Sequence, residues 1–200
     1  MIFFWAYVGQ SWNVLTGYTG HISLGHALYI GIGAYTTTFL AQTIGLSPWI
    51  GMILGGFIAV GISLFLGFLG FRFGLRGVYF VIMTIAFAEL ARLAVSHIEA
   101  LGSFTGIFLD FNPSFHNFQF RGNAPYYYIA FGFMVASIIA VRFIEVSKIG
   151  RFIVAIREDE EAAQALGVNT FKYNMIAIAI SAFMTSLAGA FYANYIFYLH

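Results

Sequence analysis

The chain has 200 residues, 60 % of them hydrophobic and 20 % aromatic, with only 8 % charged, a formal net charge of +1 and no cysteine. A mean hydropathy of +0.86 leaves too little polar surface to cover a soluble globule of this size, so the solvent for most of the chain is a bilayer. Nine scattered basic residues cannot form the continuous positive track that nucleic acid needs, and the lack of cysteine removes disulfides, thiolate metal sites and cysteine nucleophiles together.

A helix needs about 20 apolar residues to cross the hydrocarbon. Residues 1–16 form the first apolar run, without a basic leader or a small-residue cleavage site, so they read as a retained span that is short for one crossing alone. Residues 22–45, 48–71 and 173–200 contain no Lys, Arg, Asp or Glu. Residues 78–98 span if Glu89 and Arg92 are tolerated within them, and residues 125–141 extend through Arg142, whose long side chain can snorkel to the interface. The reading is an all-α polytopic membrane protein in which residues 1–200 form a single transmembrane domain. It is a bundle of five transmembrane helices, or six if residues 1–16 cross.

Loops rich in Lys and Arg stay in the cytoplasm. Linkers 72–77 and 142–172 hold Arg72, Arg76, Arg142, Lys148, Arg151, Arg157 and Lys172, whereas the long 93–124 connection holds Arg121. The first two linkers are therefore expected inside. The 45–48 turn, the 93–124 loop and the chain end are expected outside, and the alternation is free of conflict.

Gly17, Gly20, Gly25, Gly31 and Gly33 cluster with His21, Ser23 and His26 in an otherwise apolar stretch. Glycine weakens a helix by about 1 kcal/mol relative to alanine, so a broken or re-entrant segment is expected over 17–34. Interrupted membrane helices mark solute paths, because freed backbone groups then face a cavity. Gly20, Ser23, Gly25 and His26 are thus candidates for a translocation path, against the alternative that small residues only let helices approach. Gly51 with Gly55, and Gly70 with Gly74, at spacing four, read as packing positions. An ionised Glu89 inside a span costs a few kcal/mol unless it is paired or neutral. Arg92 shares its helix face three positions on, and the two form either a structural ion pair or a polar lining of the passage.

The charged stretch Gly150-Arg-Phe-Ile-Val-Ala-Ile-Arg-Glu-Asp-Glu-Glu-Ala-Ala-Gln-Ala-Leu-Gly167 stands between two apolar ones. Glu158, Asp159, Glu160 and Glu161 are expected in the first turn of a short helix running to Leu166, where they complement the positive end of its dipole. Gly167 sits where a left-handed cap would stop it. Such a helix is too short and polar to span. Ala162, Ala163 and Ala165 would let another protein approach the backbone closely. A helix resting on lipid would instead need basic residues and a strong apolar face, so docking into a protein groove is favoured.

Glu161-Ala-Ala-Gln-Ala-Leu-Gly167 resembles the EAA-x-x-x-G loop of ATP-binding-cassette importer permeases, and residues 150–168 resemble its version in branched-chain amino acid permeases of the LivM type. Leu15-Thr-Gly-Tyr-Thr-Gly-His-Ile-Ser-Leu-Gly-His-Ala-Leu-Tyr-Ile-Gly-Ile-Gly-Ala-Tyr35, Leu75-Arg-Gly-Val-Tyr-Phe-Val-Ile-Met-Thr-Ile-Ala-Phe-Ala-Glu-Leu90 and residues 181–193 match the same type in family order. The resemblance implies a permease subunit in the bacterial inner membrane, importing branched-chain amino acids or a related small polar solute. It implies an extracytoplasmic solute-binding protein, separate ATPase subunits and a second, non-identical permease subunit as partners. It implies that the helix from Arg157 to Leu166 is the coupling helix, with Glu160, Glu161, Ala162, Ala163 and Gly167 matched to the motif and Arg157 and Glu158 beside them. The chain has no Walker A sequence, and neither Lys148 nor Lys172 follows a glycine-rich loop. No cofactor is therefore expected on this chain, and ATP and Mg are expected on the partner ATPases. The chain is also expected to be incomplete at its C-terminus, because permeases of this type continue through further helices.

Two rival classes are weaker. An ion-gradient-driven secondary transporter or channel would couple through intramembrane charges, for which Glu89 and Arg92 are the candidates, and would gain nothing from the 150–168 stretch. An intramembrane hydrolase could pair Ser23 with His26 three residues on, but no nucleophile-elbow glycines or orienting acid accompany them. His97, Glu99, Asp110 and His116 fit no tight metal spacing. Gly102-Ser-Phe-Thr-Gly106 departs from the run that LivM-type permeases carry there. The loop aromatics Phe104, Phe108, Phe111, Phe115, Phe118 and Phe120 suggest contact with headgroups or a partner.

Overall fold

The computed structural model describes residues 1–98, 107–108 and 114–199. The 102–106 stretch, Glu99, Asp110 and Phe111 lie outside the described residues. In chain order the elements are α1 (Ile2–Thr19), α2 (His26–Ile44), α3 (Pro48–Arg72), α4 (Val78–Ser96), β1 (Ile107–Phe108), α5 (Ala124–Val146), α6 (Lys148–Glu158), α7 (Glu160–Ala165), α8 (Thr170–Ile196) and β2 (Tyr198–Leu199). The fold of the described residues is all-α apart from the antiparallel pairing of β1 with β2 and an isolated bridge between Ser114 and Gln119, neither of which sequence patterning suggested. Among the described residues, α3, α4, α5 and α8 are long and apolar enough to cross a membrane. The 18-residue α1 and 19-residue α2 fall short of that, against the crossing expected of residues 22–45, and they carry Ser11, Asn13 and Thr16, and Thr36, Thr37 and Thr38.

Helix α8 is the hub. It buries Ser181, Ala182, Thr185, Ser186, Ala188, Gly189, Ala190 and Ala193, and packs on α1, α2 and α3. Small side chains let backbones approach where lipid offers no hydrophobic drive between helices. A Cβ on Gly33 would lie 1.9 Å from the Ser186 carbonyl oxygen, and one on Gly189 would lie 1.9 Å from that of Ile30, so α2 and α8 meet backbone to backbone. Gly51 and Gly55 bring α3 onto Thr37 and Gly33 of α2, and Gly70 receives the Phe80 ring, as their spacing predicts. Gly74 departs from that expectation. It holds φ +64° in the turn after α3, with open space where its Cβ would be, so its role is backbone conformation and not packing.

The ends of the helices sort onto two faces. On one, Arg157 donates to the Gly17 carbonyl (3.0 Å), Arg76 pairs with Glu160 (2.9 Å), and His21 meets Asn174 (3.2 Å). On the other, Ser47 donates to the His116 carbonyl (2.7 Å), Trp49 Nε1 to that of Phe115 (2.9 Å), and Tyr126 to that of Asn194 (3.1 Å). The 72–77 and 142–172 linkers thus share one face and the start of α3 and the end of α8 the other, the grouping that the charge distribution predicts. Of the loop aromatics, Phe118 departs from an expected headgroup or partner contact: it is fully buried at φ 53°, against Trp49, Tyr126 and Phe191. Phe115 remains exposed and stacks on Trp49. Burying an aromatic ring removes a large apolar area from water, which is why the loop folds back over the bundle.

Candidate functional site

The charged stretch forms two helices, not the single helix expected from Arg157 to Leu166. Glu158 ends α6. Asp159 then adopts extended backbone, φ −156° and ψ 107°, and its Oδ1 accepts from the Glu161 N–H (3.0 Å) and the Ala162 N–H (2.9 Å). An aspartate caps orphan amides in this way more favourably than it sits inside a helix. The acids thus take different positions: Asp159 is the cap, and Glu160 and Glu161 form the first turn of α7. At the other end Gly167 holds φ +85°, its N–H bonding the Gln164 carbonyl (2.9 Å) while Val168 N–H bonds that of Ala163 (3.0 Å). This pair of bonds is the Schellman arrangement, and it favours glycine because L side chains rarely adopt that φ.

The expectation that all three alanines are presented outward holds for two. Ala162 and Ala165 are exposed, but Ala163 is buried, because a helix of one and a half turns must seat one side on the protein. The outward surface is Glu161, Ala162, Gln164, Ala165 and Leu166, with Leu166 85 % exposed. Arg157 turns back to α1, where a guanidinium complements the negative end of the helix dipole, and Glu158 pairs with Arg157. Glu160 is held by Arg76 of the turn between α3 and α4.

Helix α6 went unrecognised in the sequence, although Ile149, Phe152, Ile153 and Ile156 at helical spacing signal it. Ser147 caps it, accepting from the Gly150 N–H (3.2 Å). Gly150 permits the sharp entry, since a Cβ there would lie 2.1 Å from the Ile144 carbonyl oxygen. Ile153 and Ile156 are buried, and Ile153 packs in one cluster with Leu15 of α1, Phe80 of α4 and Ala177 and Ile178 of α8. The module on this face is thereby keyed into three long helices at once.

Beneath α7 lies a cavity of about 470 Å³ lined by His21, Arg72, Arg76, Glu160, Gln164 and Asn174 among others. His21, in the segment between α1 and α2, has its pKa held below the usual histidine range by burial; the Glu160 carboxylate opposes that shift and Arg76 adds to it.

The glycine-rich interruption is confined to residues 20–25, and α2 runs unbroken past Gly31 and Gly33. Gly20 caps α1 at φ +76°, and Gly25 lies against Thr84 of α4, whose carbonyl oxygen a Cβ would approach to 2.6 Å. Ser23 is buried, its carbonyl accepting from Trp12 Nε1 (2.7 Å). His26 Nε2 lies 2.8 Å from Ser181 Oγ, and because that hydroxyl donates to the Ser11 carbonyl (2.7 Å), His26 Nε2 carries the proton. Ser11 and Thr185 hydroxyls join the same cluster at 3.0 Å. Gly20, Ser23, Gly25 and His26 thus meet different partners, and the His26 ring bonds the Ser181 hydroxyl, unlike the Ser23 hydroxyl contact weighed for a hydrolase. None of these four lines the cavity under α7 or a larger one between α2, α3 and α4. Glu89 stands apart from them and lines the larger one, bonded to Arg92 at 2.9 Å.

Fold and site together define a polytopic helical membrane protein with a capped helical module on one face. The chain belongs to the family described as branched-chain amino acid transport system permease components, whose sequence profile matches residues 1–199. It is 29 % identical over 210 residues to the high-affinity branched-chain amino acid transport system permease protein LivM of Escherichia coli (strain K12), and 31 % identical over 210 residues to the protein of the same name from Salmonella typhimurium (strain LT2). These alignments take in 93 % of this chain and 49 % of each relative, so the chain spans about half the length of the curated relatives it matches. No solved structure matches it significantly.

Proposed function

We propose that this chain is a permease subunit of an ATP-binding-cassette importer for branched-chain amino acids in the bacterial inner membrane, worked by separate ATPase subunits through α6 and α7. The observation that carries the reading is the construction of that module. A short acidic helix presents Glu161, Ala162, Ala165 and Leu166 to one side, while Ile153 and Arg157 tie its base to α1, α4 and α8. In this reading the face holding residues 72–77 and 142–172 is cytoplasmic, as the excess of Lys and Arg favours. Closure of an ATPase dimer on α7 displaces a rigid unit, and the long helices beside it shift between inward- and outward-facing states. ATP and Mg belong to the ATPases. A second, non-identical permease subunit covers the exposed apolar faces of α4 and α5, and a soluble binding protein delivers solute to the opposite face.

Single cysteines at Ala162 and Leu166 test the reading in the assembled complex. Cross-links from both to an ATP-hydrolysing subunit are expected, with none from Ala163→Cys, whose position faces the protein's own interior. Absence of any such cross-link in an assembly that imports solute would exclude α7 as the coupling element.

A further inference from the structure

Between α2, α3 and α4 lies a cavity of about 970 Å³, within the range of about 300–1,000 Å³ typical of small-molecule sites. Ile32, Phe39, Leu54 and Ile58 contribute apolar wall, and Glu89 and Arg92 supply both signs of charge on one side. The pair uses Arg92 Nε and Glu89 Oε2, and the two side chains remain 68 % and 57 % exposed. Glu89 Oε1 and the two Arg92 Nη groups have no partner among the described residues. Charges within a span cost several kcal/mol against hydrocarbon and are met by pairing or by a polar cavity; here the pair answers one oxygen of Glu89 and one nitrogen of Arg92, and both residues line the groove.

We infer that this groove is a subsite for an α-amino acid with an apolar side chain: Arg92 takes the carboxylate, Glu89 the ammonium, and the wall of α2 and α3 the side chain. A zwitterion has both charges on one carbon and so fits a carboxylate and a guanidinium held one helical turn apart. A lipid chain would leave Glu89 Oε1 and the Arg92 Nη groups unanswered. The inference rests on the function proposed above and adds the position and chemistry of a solute contact within the permease.

Gly31 provides a variant that tests shape without endangering the fold, because it lines the groove and a Cβ there meets nothing within 4 Å. The complete importer in proteoliposomes would be assayed for ATP-driven uptake of L-leucine and L-alanine. Glu89→Gln and Arg92→Gln are each expected to lower uptake of both solutes about tenfold or more, with subunit co-purification and ATPase activity retained. Gly31→Leu is expected to lower leucine uptake about tenfold more than alanine uptake. Wild-type uptake in both charge variants, or equal loss of the two solutes in Gly31→Leu, overturns the subsite. Loss of subunit co-purification in these variants also overturns it, marking the groove as a helix interface. A wild-type assembly that imports neither solute with ATP overturns the proposed function itself, a result distinct from the other three.

Discussion

Arg76 Nη2 and Glu160 Oε2 lie 2.9 Å apart, joining the turn between α3 and α4 to the first residue of α7. Glu160 is mostly covered and Arg76 mostly exposed, and exposed pairs of this kind contribute about 0–1 kcal/mol. The bond therefore sets position more than stability. Arg76→Glu is expected to shift unfolding by no more than about 1 kcal/mol while lowering ATP-driven uptake several-fold. Adding Glu160→Arg should restore much of that uptake, and a double-mutant cycle on transport rate checks it.

Ile153 is where the module enters the core. Ile153→Ala leaves a cavity among Leu15, Phe80, Ala177 and Ile178 and is expected to cost about 2–5 kcal/mol, whereas Asp159→Ala removes only a cap, at about 0.5–2 kcal/mol. Chemical denaturation in detergent should show that order. An Asp159 variant as damaging as the Ile153 one would refute the keying of α6.

The backbone contact of α2 with α8 makes Gly189 intolerant of even one methyl group. Gly189→Ala puts a Cβ 1.9 Å from the Ile30 carbonyl oxygen, and overpacking of this kind costs about 1–3 kcal/mol or more. Gly9→Ala and Gly61→Ala meet open space and are expected to be neutral or slightly stabilising. Thermal unfolding of the three variants side by side checks this.

His21 gives a pH dependence with a defined sign. Burial lowers its folded-state pKa, so the neutral ring is favoured in the native protein, whereas the unfolded chain takes up a proton near the ordinary value of about 6.5. The stability tied to the neutral ring is fully present above that value and is lost as pH falls from there through the lowered folded pKa. His21→Asn is expected to flatten the decline in unfolding temperature between about pH 6.5 and pH 5, measured against wild type in the same detergent. An unchanged slope would remove His21 from the account.

Much of the fold was legible in the residues themselves. Long uncharged runs place the helices, because lipid requires every backbone polar group to be paired within its own segment. The Lys and Arg distribution separated the two faces that contacts later assembled, and Gly167 marked the end of α7 because of its left-handed φ. The split at Asp159 was less legible, since four consecutive acids suit the start of one helix as well as a cap followed by the start of another. Periodicity could not identify α8 as the hub, for a helix buried on all sides by other helices reads like one bathed in lipid.

By itself the amino-acid sequence determined that the chain suits a membrane and where its long apolar helices fall, because these follow from transfer free energies that act residue by residue. Only the tertiary structure decided that Ala163 turns inward, that Arg157 closes on Gly17, that His26 bonds Ser181 and that Glu89 looks into a groove. Those outcomes depend on which helix faces meet, and helix contacts at glycine and alanine are set by shape complementarity between segments far apart in the chain.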